Sequence, residues 1–230
     1  MARPAIAHRA LAGSGAFLLI GVCVLCARWG MADLALVDAT ARQTALQERI
    51  AANSAPADVQ EVRAIGEALT RAQHLEPGNP ATAEQLGSLF ALNVRDAATG
   101  NAIGSQRARA LEQYSMAVAM RPTSPYSWAN LAWTKYYLGQ VDAAFYRALD
   151  NASRLGPWEP EVQFVVVDLG FALWDELPVE WRARILTTAR NGQQRYAAKI
   201  AAIAQKRGRL ADVCKFEKLV ALAVCKPISG

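Results

Sequence analysis

Apolar and small residues recur at helical intervals along most of the chain, and no segment alternates apolar and polar residues over the length of a strand. The pattern is clearest from Ala110 to Pro157, where two helix-length segments that each end at a proline flank a helix that opens with Ser127 and Trp128. Small residues here would let helix backbones approach each other, and large ones would fill the gaps between helices. The pattern therefore predicts an all-α fold of paired helices.

The same stretch fits the tetratricopeptide (TPR) pattern, in which small and aromatic residues recur about every 34 residues in pairs of helices. Ala110, Tyr114 and Pro122 occupy the places of Ala, Phe and Pro in one second helix. Trp128 opens the next repeat, which Pro157 closes one residue late. Weaker matches on both sides extend the pattern to about three or four helix pairs, close to the number that stacked repeats need for stability.

The N-terminal region contains a long apolar segment with no charged residue between positions 10 and 27. Its length is at the lower edge of what spans the hydrocarbon core of a bilayer, and Trp29 is placed to anchor it at the interface. Arg3 and Arg9 precede the segment, and Arg28 follows it. Because positive charge before an apolar helix favours a cytoplasmic N-terminus, we expect the bulk of the chain to lie in the periplasm, with a single pass through a bacterial inner membrane.

These patterns divide the chain into five predicted segments: a cytoplasmic tail at 1–9, a transmembrane helix at 10–29, a helical stalk at 30–56, a TPR-like helical repeat domain at 57–210 and a C-terminal tail at 211–230. A cleaved signal peptide is the alternative for the N-terminus, because the small-x-small sequence at 30–32 is a tolerable cleavage site. The long apolar core, and the helical pattern that continues after it without a breaker, favour an uncleaved anchor.

Charge is distributed unevenly along the chain, whose formal net charge is +5. Residues 182–226 contain eleven basic and two acidic side chains, whereas the rest of the chain contains fourteen basic and eighteen acidic ones. Such a basic end suggests an anionic partner, which would be a phospholipid surface, an acidic glycan or an acidic protein face. The alternative is an ordinary solvated helical face.

The four cysteines fall into two pairs. Cys23 and Cys26 lie in the apolar segment, where they are expected to act as small apolar residues. Cys214 and Cys225 would lie in an oxidising compartment, where a disulfide between them is possible only if the chain turns, because a continuous helix would hold them about 16 Å apart. With only two histidines in the chain, we predict no metal site.

The sequence contains no phosphate-binding loop, no dinucleotide-binding glycine motif, no zinc-protease helix and no nucleophile elbow. Histidine-based acid and base catalysis also has no credible residue to perform it. We therefore predict a protein that is not an enzyme and binds no cofactor. A lyase or hydrolase that acts on a polymer is the alternative, and it has less support than a non-catalytic role.

Exposed aromatic and basic residues near the repeats are the candidates for partner binding. Trp128 occupies a packing position of the repeat, whereas the pattern does not determine the positions of Trp133, Trp158 and Trp181. For these three, burial in the core and a role at the surface are both open. We predict that Arg121, Tyr126, Trp133 and Trp158 contribute to a concave or loop surface.

Four sequence segments also resemble segments of a known family, which occur there in the same order and at similar spacing. They are LEPGNPATAEQLGSLFA, RPTSPYSWANLAWTK, LGPWEPEVQFVVVDLGFALW and GRLADVC. They are similar to the VpsP family of exopolysaccharide biosynthesis proteins over residues 75–214. The segments 121–132 and 156–160 carry the most specific part of the resemblance. It implies a bacterial, membrane-anchored accessory protein that works with polysaccharide synthesis and export machinery and has no catalytic residues.

The sequence thus leads to a functional expectation. We expect a non-catalytic, inner-membrane-anchored periplasmic scaffold whose partners are polysaccharide synthesis or export proteins, not nucleic acid. Stacked helix pairs would supply a concave surface suited to extended partners. The alternative is direct binding of an acidic glycan or anionic lipid headgroups through the basic C-terminal region and the exposed aromatic residues.

Overall fold

A computed structural model describes residues 3–52, 58–92, 103–216, 222 and 225. Every regular element in these residues is a helix, which confirms the predicted all-α class for the part of the chain described.

The chain forms two compact units, Met1–Thr99 and Gly100–Gly230, which we call unit 1 and unit 2. This division differs from the predicted single domain at 57–210, because the first helices of that range pack in unit 1.

Unit 1 contains three helices, α1 (Arg3–Ala51), α2 (Val59–Leu75) and α3 (Pro80–Ala91). Local sequence fixes where the two shorter ones begin. The Asp58 side chain accepts a hydrogen bond from the backbone N–H of Gln60, and Asn79 caps α3 in the same way through Ala81. Proline in the first turn of α3 costs no hydrogen bond, because that N–H has no helical partner.

The α1 helix passes without a break from an exposed apolar half into a packed half. It is long and apolar enough to cross a membrane, and only 6% of its most apolar window is buried within the protein. From Ala32 onward one face is buried, and Ala39 and Leu46 pack against Ile65, Leu69 and other apolar residues of α2 and α3. The segment predicted as a stalk at 30–56 is therefore the first core helix of unit 1 as far as residue 51.

Unit 2 contains six helices in its described residues: α4 (Ile103–Met120), α5 (Pro125–Tyr137), α6 (Ala143–Leu155), α7 (Pro160–Ala172), α8 (Val179–Lys206) and α9 (Leu210–Val213). The α5 helix contacts α4, α6 and α7, and α7 also contacts α6 and α8. Phe145, Leu149, Val166, Leu169 and Ile185 are fully buried between them.

Prolines and caps set the helix starts in unit 2. Proline stands in the first turn of α5 and of α7, and the Ser124 side chain caps α5. Asp142 caps α6 by accepting from the backbone N–H of Phe145 at 2.9 Å. That hydrogen bond lowers the pKa of Asp142, and the ammonium of Lys135, 3.0 Å away, lowers it further.

The α8 helix bends at Tyr196, whose backbone angles (φ −128°, ψ 41°) are not helical. The bend divides α8 into a first part at 179–195 and a second part at 197–206. Beyond α8, Val213 and Phe216 are buried, so the predicted C-terminal tail at 211–230 begins as part of the packed unit.

Candidate functional site

Unit 2 has a groove of about 340 Å³ between α5, α7 and the second part of α8. We call it the groove. Its lining combines aromatic and aliphatic side chains with charges of both signs: Trp133, Glu161, Phe164, Val165, Asp168, Lys199, Ala202, Ile203 and Lys206. Surfaces of this composition can hold the side chains of an extended peptide, because they offer apolar contact together with polar partners.

Asp168, one of the charged residues that line the groove, is already paired within unit 2. Arg207 donates two hydrogen bonds to the carboxylate of Asp168, at 2.9 and 2.7 Å, and this pair raises the pKa of Arg207. The ammonium of Lys206 lies 4.0 Å from the same carboxylate. Lys199 lies over the ring of Phe164, 5.7 Å from its centre. The ion pair therefore ties the end of α8 to α7 along one wall of the groove.

A second depression lies at the bend in α8, and we call it the kink pocket. Its volume is about 300 Å³, and it is lined by Trp158, Gln163, Asn191, Gly192, Gln194, Arg195 and Tyr196. Tyr196 also packs edge-on against Phe164 of the groove, with ring centres 5.5 Å apart. The kink pocket and the groove are therefore neighbours that meet at this aromatic pair.

Gln163 forms the floor of the kink pocket, since it is only 3% exposed. Its Nε2 donates to the carbonyl of Pro157 at 2.7 Å, which fixes the amide. Its Oε1 accepts no hydrogen bond from the residues that the structure describes. A Cβ on Gly192 would lie 3.3 Å from that oxygen and 2.9 Å from Ile200 Cδ1, so the glycine permits the close approach of α7 and α8 here.

The four residues predicted for partner binding have defined places in unit 2. Trp133 lines the groove, and Trp158 lines the kink pocket. Tyr126 is partly exposed and donates to the Glu159 carboxylate, and this hydrogen bond raises the pKa of Tyr126. Arg121 is exposed just after α4.

The cysteines and the basic end also have defined places. Cys214 and Cys225 are joined by a disulfide with their Cα atoms 5.3 Å apart, whereas Cys23 and Cys26 are free and exposed on α1. Three arginines of the basic end, Arg184, Arg207 and Arg209, pair with aspartates on α6, on α7 and just beyond α7. Part of the positive charge between 182 and 226 therefore holds helices together.

Sequence reasoning missed most of the kink pocket, including Gln163, Asn191, Gln194, Arg195 and Tyr196. One signal was present, because Asn191 and Gly192 form a turn-like pair within a helical pattern. Such a pair is typical of a helix end, whereas this helix continues and bends four residues after Gly192.

Within the residues described, no three His, Cys, Asp or Glu side chains are grouped so that they could hold a metal ion. No known protein-family model matches this chain, and no curated protein matches it significantly.

Proposed function

We propose that this protein is a non-catalytic scaffold for exopolysaccharide biosynthesis or secretion. It is anchored in a bacterial inner membrane by α1 and carries a TPR-like helical domain in the periplasm. The observation that carries the proposal is the continuity of α1 from an exposed apolar segment into the core of unit 1. A continuous helix of this kind joins the membrane segment directly to the core of unit 1.

The contacts of α1 support the anchor. Phe17, Leu18 and Leu19 are exposed apolar residues, and a bilayer would cover them. At the end of the apolar segment Arg28 donates to the carbonyl of Leu75, the last residue of α2, at 3.2 Å. Because a charged arginine favours the interface, we infer that the turn between α2 and α3 lies at the membrane surface.

The helix contacts of unit 2 support the TPR-like part of the proposal. The α5 helix packs on α6, and α7 packs on α8, while α5 also contacts α7. This is the pattern in which each repeat is a helix pair that stacks on the next. In such a stack alternate helices line one surface, and the groove lies between α5, α7 and the second part of α8.

We propose that the groove receives a segment of a partner protein of the polysaccharide machinery. Trp133 and Phe164 offer aromatic surface for apolar side chains of the partner. Lys199 and Glu161 lie on the same lining and offer charged partners of both signs, which would fix the register of an extended segment.

Direct binding of an acidic glycan is a second candidate function. It is favoured by Arg195, which is exposed and makes no ion pair with any residue that the structure describes. Trp158 and Tyr196 line the same pocket. Binding of this kind should weaken steeply as salt concentration rises.

Pull-down of the full chain from crosslinked bacterial envelopes tests the scaffold proposal. We expect recovery of polysaccharide synthesis, polymerase or export proteins, and a decrease of at least about tenfold for Ala202→Trp, since about 1.4 kcal/mol of lost affinity has that effect. Ala202 is exposed in the groove lining, so a large side chain there blocks the groove without entering the core.

The matched control is Gln205→Trp, which places the same ring on an exposed position of the same helix that does not line the groove. It should recover the partners as well as the parent does. Recovery of no polysaccharide component would contradict the proposed pathway. Equal recovery with Ala202→Trp would contradict the role of the groove.

A further inference from the structure

We propose that the kink pocket binds one acidic sugar residue, a hexuronate, of a glycan chain. This inference deepens the second candidate function above, and it does not depend on a protein partner in the groove.

Two aromatic side chains supply the apolar contact that a sugar ring needs. A pyranose presents C–H groups on its faces, and these pack favourably on the electron-rich face of an aromatic ring. Trp158 is 69% exposed although it is among the largest apolar side chains of unit 2. Tyr196 lines the same pocket and is itself held by its contact with Phe164.

Three side-chain amides supply the hydrogen bonds. Asn191 and Gln194 line the pocket beside Gln163. An amide both donates and accepts, as a sugar hydroxyl does, so amides match hydroxyls in either sense. Gln163 is the most constrained of the three, because its Nε2 is held by Pro157 and its Oε1 has no partner among the described residues. An amide oxygen on the pocket lining that has no protein partner can accept a hydrogen bond from a ligand hydroxyl.

Arg195 selects an acid among sugars. Among the described residues that line the pocket it is the only charged one, and none of these residues carries a carboxylate that would repel an anion. Guanidinium groups bind carboxylates through two parallel hydrogen bonds, which are stronger than neutral ones. A hexuronate carries one carboxylate and several hydroxyls on one ring. The carboxylate would pair with Arg195, and the hydroxyls would bond to the three amides.

The size of the pocket limits the ligand to about one ring. A volume of about 300 Å³ is at the lower end of the range for small-molecule sites. The exposure of Trp158 leaves the pocket open to solvent on one side, so neighbouring sugars of a chain can extend outward.

The bend in α8 is what brings the lining together. The non-helical backbone at Tyr196 ends the first part of α8 beside α7, and Gly192 allows the two helices to approach at Gln163. Trp158 reaches the same place from the turn before α7. The pocket therefore combines side chains from two segments that lie far apart in sequence.

Calorimetric titration of the full chain in zwitterionic detergent tests the inference. The probes are a trimer of glucuronic acid, the glucuronate monomer and a neutral glucose trimer of equal length. We expect the acidic trimer to bind at least about tenfold more tightly than the neutral one, the factor that 1.4 kcal/mol gives. Arg195→Gln and Trp158→Ala should each lower the affinity for the acidic trimer by a similar factor.

Arg71→Gln is the matched control, because it removes one positive charge from an exposed position of α2 that lines neither the kink pocket nor the groove, and it should leave the affinity unchanged. A trimer that binds more tightly than the monomer assigns the pocket to a polymer, and equal binding assigns it to a free sugar acid. Failure of both uronates to bind, equal binding of the neutral trimer, or full affinity in Arg195→Gln would overturn the inference. Recovery of protein partners through the groove is a separate readout, so the two proposals can fail independently.

Discussion

Replacing Leu19 and Val22 together by aspartate is expected to release the full chain from the membrane fraction. Both side chains are exposed on the apolar half of α1, near the middle of the segment between residues 10 and 27. A charge at the centre of a membrane helix costs about 2.5–3.5 kcal/mol, so two such charges remove most of the insertion energy of a short segment. Fractionation after a carbonate wash measures the result.

The matched control is Leu34→Asp with Val37→Asp. These residues are also exposed on α1, but they follow Arg28, where the helix is expected to have left the bilayer. The control chain should therefore stay in the membrane fraction. Release by the control pair, or retention of the Leu19 and Val22 variant, would contradict the placement of the anchor.

Replacing Gly170 by alanine is expected to destabilise unit 2 by about 1–3 kcal/mol, the usual cost of overpacking a core. Gly170 lies on α7 where the helix meets α8, and a Cβ there would lie 2.4–2.7 Å from three carbons of Ile185. Two of them, Cγ1 and Cγ2, are attached to the Cβ of Ile185 and cannot both move away by a side-chain rotation. The two helices must therefore move apart. Thermal unfolding of the full chain in detergent, followed by circular dichroism, measures the loss.

Gly66→Ala provides the contrast for that measurement. Gly66 lies inside α2, and its nearest neighbour to a new Cβ is Leu89 Cδ2 at 3.4 Å, an ordinary contact. Alanine there should stabilise unit 1 by about 0.5–1 kcal/mol through helix propensity. Equal effects of the two substitutions would show that the close approach at Gly170 does not govern stability.

The helices were predictable because their signals are local. Apolar periodicity predicted an all-α chain, and prolines marked the ends of helix-length segments. The predicted start of the middle helix at Ser127 lies two residues after the actual start of α5 at Pro125. The apolar stretch before Arg28 likewise stands out without knowledge of any other residue. Such features depend on the sequence within one or two helical turns.

Packing partners were not predictable in the same way. Periodicity indicates that Ala32, Ala39 and Leu46 share one face of α1, but it does not say which helix covers that face. The segment therefore resembled a free stalk, although it forms a core with α2 and α3. Contacts between distant segments set the boundary between unit 1 and unit 2.

The candidate site was only partly predictable, because it too depends on contacts between distant segments. Trp133 and Trp158 were identifiable as aromatic residues without a fixed place in the repeat, and each lines a depression of unit 2. Gln163 carried no signal, because an isolated glutamine in an apolar helix can be an exposed residue. Its importance follows from the bend at Tyr196, which brings α8 against it.

We propose that α1 crosses the inner membrane and emerges outside as the first helix of unit 1. Labelling with a membrane-impermeant maleimide, applied to intact spheroplasts, tests it directly. The native Cys23 reports on the apolar half of α1. For the packed half, Leu34→Cys or Ala41→Cys is introduced into a chain that also carries Cys23→Ser and Cys26→Ser.

The disulfide keeps Cys214 and Cys225 from reacting. We predict rapid labelling at positions 34 and 41 in intact spheroplasts and labelling of Cys23 only after detergent is added. Labelling of Cys23 without detergent, or labelling at positions 34 and 41 only after lysis, would contradict the account.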